Sequence, residues 1–160
     1  MELTYTNFLS TVFPPYQGIV DALHTHLLQN GCTFELKEAK SGYVASYNHS
    51  KDAHTLANYV FRKSGMVARI YANHLAQYAA FLETLPLQLK QKIAKAPACK
   101  RMLDPTKCNA RCPMGYAFEL DGALQQKCRY NCFMLPMNDE TIPYIENFIK
   151  NELDARNSLQ

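Results

Sequence analysis

Cysteine is the residue type with the least random spacing in this chain. Five of the six cysteines lie between Cys99 and Cys132, and four of these form two matched pairs, Cys108 with Cys112 and Cys128 with Cys132. We call these five residues the cysteine cluster. Thiolates gathered in this way can bind a soft metal ion, form a disulfide, or pack as free thiols in a core. Which of these occurs depends on the backbone that carries them.

The spacing within each pair limits what the cysteine cluster can bind. Two sulfur ligands of one zinc ion lie within about 4 Å of each other, which residues four apart achieve on a helix but not on an extended strand. Cys128, Tyr130, Cys132 and Met134 alternate with polar residues, a pattern that predicts a half-buried strand. Cys128 and Cys132 are therefore not expected to share an ion, unless the residues between them form a turn.

A predicted hairpin provides a different pairing. Asp121-Gly122 is a strong turn signal, and a three-residue loop there keeps the apolar residues of both strands on one face. That register places Leu120 opposite Leu124, Tyr116 opposite Cys128, and Cys112 opposite Cys132. Directly opposed α-carbons lie about 4.5–5.5 Å apart, a distance that suits two co-ligands or a disulfide.

The predicted metal site therefore comprises Cys108, Cys112 and Cys132, with Cys99 or Cys128 as the fourth ligand and zinc as the cofactor. Free thiols packed in a core and a redox-responsive pair are the alternatives. Neighbouring cations, among them Lys107, Arg111, Lys127 and Arg129, would lower the pKa of an exposed thiol and so favour metal binding or redox chemistry.

The cysteine cluster is preceded by a basic segment. The stretch from Lys90 to Arg111 has seven basic residues and one acidic residue, whereas the whole chain carries a net charge of +3. A solvated helix face followed by a solvated loop is one interpretation. A nucleic-acid surface is the other, and it is not favoured.

The elements that must position these residues predict an α+β fold. Periodicity and turn residues predict the following elements in chain order. They are a helix over 16–27, a meander of three or four strands over 33–72, helices over 73–85 and 86–95, the hairpin, and a closing helix over 139–153. We expect one domain over residues 1–160, an antiparallel sheet (the meander plus the later hairpin) with helices packed on one face.

The meander suggests a second candidate site. Tyr47, Tyr59 and Arg69 could meet on a concave face of the sheet, where hydroxyls and a guanidinium would orient a polar or anionic ligand. Plain sheet packing is the alternative. No Walker loop, dinucleotide fingerprint, nucleophile-elbow serine or HExxH pattern is present, so no residue set indicates an enzymatic reaction.

The second half of the chain resembles a group of uncharacterised small cysteine-containing proteins from Gram-positive bacteria, mostly anaerobes. The resemblance is carried by Cys99-Lys100-Arg101, Asp104 to Cys108, Gly115-Tyr116 and Lys127 to Phe133. It brings no activity with it and implies a bacterial, cytoplasmic origin. The absence of a signal core and of a long apolar run leads to the same expectation: a cytoplasmic protein with reduced cysteines and no membrane segment.

These observations lead to three functional hypotheses. The first is a small-ligand or partner-binding module with a structural or zinc-binding cysteine cluster. The second is a thiol-based redox sensor or oxidoreductase that uses Cys108, Cys112 and Cys132. The third is a nucleic-acid-binding protein that uses the segment 90–111.

Overall fold

The computed structural model describes residues 2–159 and has the α+β architecture expected from the sequence. Five α-helices and seven strands are described. The helices are α1 (Tyr5–Thr11), α2 (Pro14–Gln29), α3 (Leu87–Ala94), α4 (Lys100–Leu103) and α5 (Ile142–Asn157). The strands are β1 (Cys32–Ala39), β2 (Gly42–His49), β3 (Thr55–Arg62), β4 (Gly65–Ile70), β5 (Tyr116–Leu120), β6 (Ala123–Lys127) and β7 (Met134–Pro136).

The chain divides into two compact units, which are described separately. The first contains the residues up to Ile70 together with those from Leu135 onward, and the second runs from Tyr71 to Met134. No helix within residues 2–159 is both long enough and apolar enough to span a membrane.

The first unit is built on a five-stranded sheet in the order β1-β2-β3-β4-β7, with β1 to β4 forming an antiparallel meander. Helices α1, α2 and α5 each reach side chains on the same sheet face: Phe8 stacks on Tyr59, His24 bonds Tyr47, and Asn157 bonds His49. The meander, the helix α2 and the closing helix confirm the predicted elements. The sequence did not predict that β7 joins this sheet.

The second unit contains the hairpin of β5 and β6, two short 3₁₀ helices, and the helices α3 and α4. The 3₁₀ helices, Leu75–Gln77 and Ala79–Thr84, replace the single helix predicted over 73–85. At the start of that predicted helix, the Asn73 side-chain oxygen accepts a hydrogen bond from Arg129. The helix predicted from Pro86 is present as α3.

The hairpin is tighter than the sequence suggested. Leu120 pairs with Ala123 across a two-residue turn at Asp121-Gly122, in which both residues have positive φ, +50° and +82°. This is the geometry of a type I′ turn, whose twist matches that of the strands. The register places Tyr116 opposite Lys127, so the three-residue loop and the predicted pairing of Tyr116 with Cys128 are wrong.

The return strand also ends earlier than predicted. β6 stops at Lys127, and residues 128–132 form a turn in which the Cys132 N–H donates to the Cys128 carbonyl oxygen at 2.9 Å. Because β6 does not continue to Met134, Cys112 has no strand position opposite Cys132, and that predicted pair is wrong as well. The apolar alternation of Cys128, Tyr130 and Cys132 reflects a turn with Cys132 buried and Tyr130 exposed.

Candidate functional site

The second unit has a cavity of about 400 Å³ that brings most of the cysteine cluster together. Four of its five members, Cys99, Cys108, Cys112 and Cys128, line the cavity. Cys132 is not among the lining residues and is only 2% exposed. Four residues of the predicted cysteine cluster therefore line one cavity, and the predicted cross-hairpin pair is not formed.

The end of β6 positions Cys99 and Cys128, two of the residues that line this cavity. The segment before α4 lies alongside it: the Cys99 N–H donates to the Gln126 carbonyl at 3.0 Å, and the Cys128 N–H donates to the Pro97 carbonyl at 2.8 Å. An isolated antiparallel bridge between Ala98 and Lys127 lies between these two bonds. Cys99 and Cys128 are therefore diagonal neighbours on the same face of this short ladder, about 7–8 Å apart at their α-carbons.

Gly115 lies on the other side of the same strand end and contacts Cys99. Its N–H donates to the Cys99 Sγ at 3.3 Å. A Cβ at position 115 would lie 2.0 Å from the Lys127 carbonyl oxygen and 2.8 Å from the Cys99 Cβ, which is closer than atoms can pack. Only glycine therefore allows the backbone to approach the sulfur this closely.

The surroundings of Cys99 favour its thiolate. Burial raises the pKa of the Cys99 thiol, since the residue is only 8% exposed. The backbone N–H groups of Met102, Gly115 and Arg101 near the sulfur oppose that effect and outweigh it, and the Arg101 guanidinium acts in the same direction. The pKa of Cys99 is therefore held below the ordinary value for cysteine, which makes this sulfur a better nucleophile near neutral pH.

Cys32 and Cys132, the buried cysteines that do not line the cavity, have raised pKa values. Burial raises the pKa of Cys32 to about 11, and it raises the pKa of Cys132 strongly. Neither side chain ionises near neutral pH, so both act as small apolar residues. The six cysteines, all unpaired, thus fall into distinct chemical environments.

Three cations line the cavity, Lys100, Arg101 and Arg129, and no acidic residue among residues 2–159 lines it. Arg101 crosses from α4 to the following loop, where its Nη1 donates to the carbonyl oxygens of Asn109 and Cys112. Arg129 is 8% exposed, and its guanidinium lies between the rings of Tyr71 and Tyr116. The electrostatic potential inside the cavity is therefore positive.

The predicted zinc site does not fit the residues as they are placed. Residues 2–159 contain no group of three or more His, Cys, Asp or Glu side chains that could hold a metal ion. Cys132, one of the three central ligands proposed, does not line the cavity, and Cys108 is exposed in a left-handed conformation with φ +65°. Zinc binding stays a prediction from the sequence.

The tyrosine site predicted on the meander is not assembled. Tyr47 pairs with Ala57 and Tyr59 lies two residues further along the strand, so both tyrosines are on one face and are at most 2% exposed. Arg69 pairs with Asn58, which lies on the opposite face because successive residues of a strand alternate. The register therefore does not bring Tyr47, Tyr59 and Arg69 together.

Part of the basic segment 90–111 is engaged within the unit. Lys90 forms ion pairs with Asp121 at 2.8 Å and Glu83 at 3.4 Å. Lys127 donates to two carbonyl oxygens of this segment, those of Ala94 and Ala96, at 2.7 and 3.0 Å. Nucleic-acid binding by this segment stays a prediction.

The sequence did not predict the role of Gly115 or the burial of Arg129. Gly115 stands alone between Met114 and Tyr116, and nothing in its neighbourhood indicates contact with a sulfur sixteen residues earlier. Arg129 was expected to act as a cation near the thiols, but its burial between two tyrosines depends on contacts distant in sequence.

Comparison of this chain with protein-family models, with curated proteins and with solved structures finds no significant match. The functional interpretation therefore depends on the geometry of the site.

Proposed function

We propose that this protein is a thiol–disulfide redox protein in which Cys99 is the attacking thiolate. The observation that supports this most directly is the Cys99 sulfur, which accepts a hydrogen bond from Gly115 and borders a cavity containing three further thiols. A low pKa, a nearby second thiol and access through a cavity are the properties of reactive cysteines. The redox hypothesis from the sequence assigned this role to Cys108, Cys112 and Cys132, whereas the placement of the side chains supports Cys99.

Cys128 is the best placed second thiol. It lies diagonally across from Cys99 on the same face, and its Sγ accepts a hydrogen bond from the Asn131 side chain at 3.4 Å. A disulfide needs α-carbons about 4.4–6.8 Å apart, so the turn over 128–132 would have to close by about 1 Å.

The reaction has two exchange steps. The Cys99 thiolate attacks one sulfur of a disulfide substrate, which breaks the substrate S–S bond and releases one half as a thiolate that takes a proton from water. Cys128, after losing its proton, attacks the Cys99 sulfur of this mixed disulfide and releases the second half. The substrate gains two electrons and two protons, and the protein gains one disulfide.

Selective alkylation tests the role of Cys99. Reduced, folded protein is treated with iodoacetamide at several pH values, and labelling of each cysteine peptide is followed by mass spectrometry. We expect Cys99 to label fastest at and below about pH 7.5, with Cys32 and Cys132 protected. The exposed Cys108 is the matched control for access. Labelling of Cys99 no faster than that of Cys108 would overturn the proposal.

Mapping the disulfide tests the role of Cys128. After oxidation with a small disulfide, wild-type protein should yield a Cys99–Cys128 linkage, and the C128S variant should stop at a mixed disulfide on Cys99. The C112S variant serves as the control and should still form the linkage. A stable zinc ion, one per anaerobically purified chain, that protects these thiols would instead favour the binding-module hypothesis.

A further inference from the structure

We infer that the substrate of the Cys99 thiolate is a small disulfide that carries carboxylates, and that Arg129 binds one of them. This inference depends on the proposed thiol–disulfide function and identifies its substrate class. It follows from a buried cation in the wall of the same cavity.

Arg129 is buried without a counter-ion in the described part of the chain. Its Nη1 donates to the Met114 carbonyl oxygen at 3.0 Å and its Nη2 donates to the Asn73 side-chain oxygen, and both acceptors are neutral. No Asp or Glu among residues 2–159 forms an ion pair with it. Buried charges are normally paired, because removing an ion from water is costly.

Two tyrosine rings hold the guanidinium in place. The Arg129 Cζ lies 5.8 Å from the centroid of the Tyr71 ring and 5.4 Å from that of the Tyr116 ring. Tyr116 is itself fixed, since its hydroxyl accepts a hydrogen bond from the Ala72 N–H at 3.0 Å. A guanidinium has five N–H donors, and the two bonds within the protein leave donors for a ligand. Arg129 is therefore preorganised, and a planar carboxylate is the group that matches a guanidinium.

The rest of the cavity favours the same ligand. Lys100 and Arg101 add positive charge to the wall, and no acidic residue lies there to repel an anion. A volume of about 400 Å³ is at the lower end of the range for small-molecule sites, which suits a compact organic molecule. Since Cys99 lines the same cavity, a bound carboxylate would bring the disulfide of the ligand toward the reactive sulfur.

The experiment compares two aromatic disulfides that release coloured thiols: dithionitrobenzoate, which carries two carboxylates, and the neutral dithiodipyridine. The measured quantity is the ratio of their rate constants with Cys99 in a variant that lacks the exposed Cys108. We expect R129Q to lower this ratio about fivefold to tenfold, since one favourable charge interaction is lost. The R129K variant, which keeps the charge, should retain most of the ratio. K92Q, which removes an exposed cation outside the cavity lining, should leave it within about twofold.

Salt dependence provides a second test that needs no substitution at Arg129. In wild-type protein, high salt should slow the reaction of dithionitrobenzoate with Cys99 and leave that of dithiodipyridine nearly unchanged. A reactive Cys99 whose rate ratio is insensitive both to R129Q and to salt would overturn the carboxylate inference alone. A neutral disulfide that reacts equally well with C99S would overturn the thiol–disulfide function itself.

Discussion

At the scale of single residues, Arg156 connects the last turns of α5 to the segment at the start of β3. Its side chain is fully buried and its Nε donates to Glu152 at 2.7 Å. Its two Nη atoms donate to the carbonyl oxygens of His54 and Thr55 at 2.9 and 3.1 Å, and Asp52 lies at 3.5 Å. One guanidinium thus satisfies the backbone between β2 and β3 from the last turns of α5.

The R156A substitution should therefore lower the free energy of unfolding by roughly 3–5 kcal/mol, because it removes a buried ion pair with Glu152 and the hydrogen bonds to two backbone carbonyls. Urea denaturation measures the change. K37A, which removes one member of the exposed Lys37–Glu35 pair, is the control and should cost at most about 1 kcal/mol. A loss of that small size for R156A would show that the buried pair does not stabilise the fold.

Gly115 acts as a positioning residue for Cys99. The G115A substitution places a methyl group against the Lys127 carbonyl, so the Gly115 N–H can no longer reach the Cys99 sulfur. We expect the pKa of Cys99, followed by the pH dependence of its alkylation, to rise toward the ordinary value. Circular dichroism serves as the check on folding. An unchanged pH profile in a folded variant would contradict this role.

At the scale of elements, glycine has opposite effects in a helix and in a turn. Gly18 lies exposed inside α2, where no atom would contact an added Cβ, whereas Gly122 has φ +82° in the hairpin turn. G18A should stabilise the protein by roughly 0.5–1 kcal/mol, because alanine is the better helix former. G122A should destabilise it by about 1–2 kcal/mol, because a side chain disfavours the left-handed region. Thermal or urea denaturation measures the change in stability of each variant. Changes of the same sign in G18A and G122A would contradict the conformations assigned to these two glycines.

The hairpin shows that a local sequence pattern can predict a turn without predicting the number of residues in the turn or the length of the strand that follows. Asp121-Gly122 correctly predicted a turn, but an assumed continuation of the strand to Met134 led to a three-residue loop. The alternation of Cys128, Tyr130 and Cys132 is compatible both with a strand face and with this turn, in which Cys132 is buried and Tyr130 is exposed. A short alternation therefore cannot distinguish the two.

At the scale of the whole molecule, the pKa of Cys32 links stability to pH. In the folded chain the pKa of Cys32 is raised to about 11 by burial, whereas in the unfolded chain it has its ordinary value near 8.5. The unfolded state therefore releases this proton first as the pH rises. The stability contributed by the neutral thiol is complete below about pH 8.5 and is lost progressively as the pH rises toward 11.

The stability advantage of wild-type protein over C32A should consequently shrink by roughly 1–2 kcal/mol between about pH 8 and about pH 10. Urea denaturation of both proteins at each pH measures this difference, and the comparison cancels the titration of groups they share. An advantage that stays constant over this range would mean that Cys32 ionises equally in both states.

Much of the local architecture was determined by the sequence alone. Periodicity and turn residues predicted the helix over 16–27, which corresponds to α2, and the meander over 33–72. These patterns act over a few residues, since helix and strand periods and turn conformations depend on near neighbours. For the same reason, the sequence identified the cysteine cluster as the unusual feature of the chain.

Only the tertiary structure decided which cysteines line one cavity and in which direction the pKa of each buried thiol is shifted. The Gly115 bond to Cys99, the bridge from Ala98 to Lys127, and the burial of Arg129 between two tyrosines all join residues distant in the chain. Spacing between cysteines contains no information about these contacts. A thiol's pKa depends on the donors and charges within a few ångströms of it, and these are determined by the packing of the chain.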